Sequence, residues 1–290
     1  MSTKRLKAQL REFREDDEAQ WKYEATELER QLRVRREAGR GDAEFKEELA
    51  KAGINVSALE QEAEKEAERE KRAHAELKKI HPPPARRGRK EAIAVEQAAA
   101  LADTATWIFP PAYDAWGNAE DCGFNLALGE INTLRDMTGD GWGLEARAYT
   151  TQYCTLWFYY YPRAAGDLRI EPHVDFQGSV AVSAHDHWYT STHAELLLRL
   201  HFDLFQHYWD GEQTATIIDE HRHNSSAAYW VDDHHILSKT LSVSAHDIVW
   251  IKLKTSLYVV AHSSHAHVEC DFRTGADRRI RAEHIRVNVT

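Results

Sequence analysis

Histidine carries the most chemistry in this sequence. Of the 17 histidines, 15 follow residue 104, and several are paired: His185 with His187, His221 with His223, His234 with His235, and His265 with His267. An HxH pair on a strand places both imidazoles on one face, where they can share a metal ion. Asp219 beside His221 and His223, or Glu269 beside His265 and His267, would add a carboxylate. Residues i and i+4 of a straight strand lie roughly 13 Å apart, so neither triplet closes on one ion unless a bulge bends the chain. A pair joined by a residue from elsewhere is the most that this spacing allows. His265, His267, Glu269 and Asp271 alternate with Ala266, Val268, Cys270 and Phe272, the pattern of a solvated sheet face.

The cupins, jelly-roll enzymes, also place a carboxylate after HxH, and His185-Asp-His187 with Glu195 invites that comparison. The framing glycines are absent, the carboxylate lies too far along and no second motif supplies the last histidine, so the family is not carried over. Asp136-Met-Thr-Gly-Asp140-Gly141 begins like a calcium loop, but its twelfth position is Arg147, where a bidentate glutamate is required. Cys154 sits in an aromatic strand-like run, Cys122 has no protease context, and no GxSxG or phosphate-binding glycine loop occurs. Rings at Trp157, Phe158, Tyr159, Tyr160 and Tyr161, with Trp188-Tyr189 and Tyr229-Trp230 in turns, could stack on sugars or fill an interface. Core packing and subunit contact explain them more simply. No catalytic, cofactor-binding or metal-ligating residue is assigned, and no cofactor is implied.

The elements that must position these groups divide the chain. Residues 1–81 are rich in Glu, Lys, Arg and Ala, whereas eight of nine tryptophans follow residue 100. Strong helix formers run unbroken from Ser2 to Ala38, and Gly39-Arg-Gly41 supplies a stop. Asp42 can cap a short helix carrying Phe45 and Leu49 and ended by Gly53. Ser57-Ala-Leu-Glu60 fits a capping box for a third helix to Ile80. Residues 82–106 read as a hinge with Pro82, Pro83, Pro84, Arg86, Arg87, Arg89 and Lys90, followed by an Ala-rich helix. Leu6, Leu10, Phe13, Leu28 and Leu32 suggest a coiled coil that Asp17, Gln20 and Glu24 interrupt; the alternative is a helical hairpin lying on the β domain or on a neighbouring subunit.

In residues 107–290 the period becomes two. Ile170, Val174, Phe176, Val180 and Val182 alternate with polar residues, as do Leu196 to Leu204 and Val249 to Val259. The fold expected is therefore α plus all-β: a charged helical segment, with coiled-coil potential, before an antiparallel β-sandwich of jelly-roll type.

Formal net charge is −10, the helical part is near neutral, and the acidic β part should repel phosphate backbones, so no specific nucleic-acid partner is expected. The three cysteines show no CxxC spacing and read as reduced thiols. No signal-like or membrane-spanning apolar run is evident, so the expectation is a protein synthesised as a soluble cytoplasmic chain without a signal peptide or membrane insertion, and then part of a particle or a released assembly. The function expected is a non-catalytic structural or assembly protein resembling a fibre or surface component, its helices mediating homo-oligomerisation and its β-sandwich head packing into a larger assembly or presenting a binding face. The alternatives are a metal-dependent jelly-roll enzyme using the histidines and a carbohydrate-binding module using the exposed rings.

Overall fold

The computed structural model describes residues 3–38, 42–80, 105–118, 121–139, 141 and 147–289. The Gly39–Arg–Gly41 stop, the Pro/Arg hinge and the Ala-rich helix expected up to residue 103 lie outside the described residues.

Among the described residues three helices come first: α1 (Thr3–Ala38), α2 (Asp42–Lys51) and α3 (Val56–Leu77). Gly53 has φ +82°, the left-handed conformation that lets the chain turn after α2. The cap of α3 differs from expectation. Asn55, not Ser57, is the N-cap: its backbone is extended and its side chain accepts a hydrogen bond from the Ala58 amide at 3.1 Å, while Ser57 is already within the helix.

Thirteen strands follow among the described residues: β1 (Thr106–Ile108), β2 (Asp114–Gly117), β3 (Cys122–Asn125), β4 (Glu130–Thr138), β5 (Arg147–Tyr160), β6 (Gly166–Ala184), β7 (His193–Phe205), β8 (Gln213–Arg222), β9 (Ser225–Ile236), β10 (Lys239–Val243), β11 (Val249–His262), β12 (Ala266–Asp271) and β13 (Arg279–Val289). They form an antiparallel, jelly-roll-like β-sandwich. One sheet runs β1-β13-β4-β12-β6-β10, with β3 on β4 and β9 on β6; the other runs β2-β5-β11-β7-β8. The apolar residues of the alternating pattern meet between the sheets, including Ile170, Phe176 and Val182 of β6, Leu196 to Leu204 of β7 and Val249 to Val259 of β11. In β13 the core residues change parity, from Ile280 and Ala282 to Ile285 and Val287. A register shift between Ala282 and His284 accommodates this, since one extra residue turns the following side chains to the opposite face.

The helices lie against part of each outer face of the sandwich. Leu10 and Phe13 of α1 pack on Trp157 of β5 and Trp250 of β11, Phe13 stacking on Trp157 with ring centroids 5.3 Å apart. The residues that interrupt the heptad continue this same stripe. Asp17 pairs with Lys252, and Glu24 accepts a hydrogen bond from the Tyr153 hydroxyl. On the opposite face, Leu59 and Ala63 of α3 pack on Tyr189, and His74 meets Ser183 of β6 at 3.0 Å.

Cys122 of β3 and Cys154 of β5 form a disulfide, correcting the reading of all cysteines as reduced thiols; Cys270 is free and buried. The pair is 32 residues apart in sequence and is brought together only when the two sheets stack. Gly117 leaves the room it needs, because a Cβ there would lie 2.8 Å from that of Cys122. A cross-link closing a loop of this length stabilises by about 3–4 kcal/mol. The double variant Cys122→Ser, Cys154→Ser should unfold at lower urea by about that free energy, and a thiol assay of the denatured, unreduced wild type should count one free thiol per chain. Phe13→Ala should cost about 3 kcal/mol, read as faster hydrogen exchange in α1 and earlier denaturation.

Candidate functional site

The groups with the most chemistry converge where α3 crosses the end of the sandwich. His187 lies in the loop between β6 and β7, and His265 in the turn between β11 and β12. Glu66 and Glu70, one helical turn apart on α3, reach down to both. His187 Nε2 is 2.9 Å from Glu70 Oε1, and His187 Nδ1 is 3.0 Å from Glu66 Oε2. His265 Nδ1 is 2.7 Å from Glu70 Oε2. Tyr189 donates its hydroxyl hydrogen to Glu66 Oε2 at 2.7 Å, and its ring stacks on His187.

Electrostatics reinforce this geometry. Burial alone would raise the Glu70 carboxyl, but hydrogen bonds from His265 and His187 and their positive charge outweigh it and hold Glu70 below the usual carboxylate range. The same two contacts make a donor set: the ligand atoms of Glu70, His187 and His265 all lie within 4.8 Å of one another.

Next along α3 the contacts change character. His74 stacks on His267 of β12, centroids 5.1 Å apart, and His267 Nδ1 lies 3.0 Å from Thr138 Oγ1. Lys78 pairs with Asp136 and, at 3.0 Å, with Glu269. Burial depresses the His74 imidazole to about 4, aided by the charges of His267 and Lys78. The face carrying His265, His267, Glu269 and Asp271 is therefore covered, with His265 fully buried and Asp271 at 3% exposure. This corrects the reading of a solvated face: the alternation is real, but a helix, not water, lies on its polar side.

The other paired histidines do not converge. His221 pairs with Asp219 at 2.8 Å on exposed β8, while His223 meets the Thr192 carbonyl and Asp186. His235 pairs with Asp233, and His234 with Asp175 at 2.5 Å. Glu195 of the cupin-like pattern approaches His193 at 3.7 Å rather than the His185–His187 segment. Thus only one member of each of two HxH pairs reaches the cluster. Glu66 and Glu70 do not stand out in the sequence because α3 carries glutamate on every side; their spacing of four from each other, and of four from Glu70 to His74, is the one signal that could have marked them.

Another buried imidazole, His284 of β13, stacks on His173 with centroids 4.2 Å apart, and burial followed by the charges of His173 and His234 brings it to about 4. His74 and His284 bind protons in the unfolded chain below about pH 6.5 but in the folded chain only near 4. Their neutral burial stabilises fully above pH 6.5, and the stability is lost as pH falls from 6.5 towards 4, by up to about 1.4 kcal/mol per pH unit for each. Urea midpoints should fall between pH 7 and pH 5, and His284→Phe should flatten that slope.

No protein-family model matches the chain, and no curated protein matches it. Among solved structures it is similar to TmCBM61, determined in complex with beta-1,4-galactotriose, at 9% identity and TM-score 0.21, over 63% of this chain and 88% of that one. It is also similar to a native family 35 carbohydrate-binding module from Clostridium thermocellum, at 7% identity and TM-score 0.20, over 64% of this chain and 99% of that one.

Proposed function

We propose that the chain is a non-catalytic structural and interaction protein, with residues 107–290 as a β-sandwich body and residues 1–81 as a helical clasp, assembling with further copies of itself. The observation that carries this reading is the internal use of both sheet faces. The groups there that could grip a substrate are held by the chain's own helices: Lys252 by Asp17, Tyr153 by Glu24, Trp250 Nε1 by Gln9 at 2.9 Å, and Glu269 by Lys78. What stays open is the rim, where Tyr161, Trp188 and Tyr208 are exposed and the edge strand β8 offers unpaired backbone groups. No described helix is long and apolar enough to cross a membrane.

One observation favours a second reading. Trp188 is 68% exposed at a loop tip and braced edge-on by Tyr189 at 5.5 Å, an arrangement that presents a flat ring to a sugar face. Light scattering of the full chain over a hundredfold concentration range separates the two. A defined oligomer is the expected result, and a monomer at the highest concentration would sink the assembly reading. Binding on a glycan array that disappears in Trp188→Ala would then establish the second.

A further inference from the structure

We propose that Glu70, His187 and His265 form a site for one divalent transition-metal ion of the zinc class, which pins α3 to the two loops at the end of the sandwich. Three separate elements deliver two imidazoles and a carboxylate, with donor atoms within 4.8 Å of one another. That is a zinc-type donor set with a fourth position left for water, and its two nitrogens disfavour calcium and magnesium, which prefer oxygen ligands.

The second observation is how the ring nitrogens are placed. His187 has a carboxylate oxygen at each nitrogen, Glu66 at Nδ1 and Glu70 at Nε2. Without a metal, both contacts are hydrogen bonds only if the ring carries two protons. With a metal at Nε2, the ring is neutral and Nδ1–H still donates to Glu66, the outer-shell arrangement that orients a ligating histidine. Tyr189 completes that outer shell by donating to the same Glu66 oxygen. His265 is fully buried and directs Nδ1 at the second Glu70 oxygen. A divalent ion would neutralise the paired carboxylates without requiring His187 to be an imidazolium. The exposed His221–Asp219 and His235–Asp233 pairs, one histidine to one carboxylate, lack these features.

The site stands apart from the assembly reading, and its test does not use oligomeric state. Full-length protein without a histidine tag, freed of metal by a chelator, is titrated with Co²⁺ and then Zn²⁺. One equivalent of Co²⁺ should bind with visible absorption bands and be displaced by Zn²⁺. Glu70→Gln and His187→Asn should each weaken binding at least 100-fold, Glu66→Gln about 10-fold, and His221→Ala not at all. His187 sits at the half-buried rim of the cluster, so its variant should keep the wild-type circular dichroism spectrum. In the wild type, Zn²⁺ should also slow amide hydrogen exchange in α3 and leave α1 unchanged. No stoichiometric binding, binding that survives in both Glu70→Gln and His187→Asn, loss in His221→Ala, or α3 exchange indifferent to metal would each overturn the site and leave an ion-pair cluster.

Discussion

The structure depends on the requirement that polar groups removed from water find partners. A buried donor or acceptor without one costs about 1–3 kcal/mol, and each outer sheet face here carries polar groups that a helix covers. The helices supply many of those partners. α1 begins its contact with Leu10 and Phe13 on tryptophan, then changes to Asp17 and Glu24 where the sheet offers Lys252 and Tyr153. α3 begins with Leu59 and Ala63 on Tyr189 and changes to Glu66, Glu70, His74 and Lys78 where the sheet offers histidine, serine and carboxylate. Hydrophobic contact supplies much of the attraction, and the polar pairs fix where along its length each helix can sit, because a slip of one turn would strand several buried charges.

This explains which parts were legible beforehand. The sandwich was, because its core depends on a period of two that each strand carries in itself; Leu196 to Leu204 could be placed without knowing their partners. The helices were legible as helices for the same local reason. Their docking was not. Asp17 and Glu24 look like defects in a heptad until Lys252 and Tyr153 are set opposite them, and Glu70 looks like one more solvated glutamate until two loops bring His187 and His265 beneath it. Likewise the spacing of Cys122 and Cys154 conveys nothing, since their proximity follows from the stacking of two sheets.

The same asymmetry bears on motion. The inner core is continuous and dry, whereas the helix contacts are a mixture of rings and charges whose balance shifts with pH and solution conditions. Segments held in this way are the ones expected to open below the global unfolding free energy.

The disulfide has a mechanical consequence. β3 and β5 belong to different sheets, so Cys122–Cys154 fastens the two layers at one margin. At the opposite margin β8 of one sheet passes directly into β9 of the other through His223 and Asn224. Bonded at one side and continuous at the other, the layers behave as a flattened sleeve. They can twist together, but neither can slide past its neighbour without breaking a covalent bond.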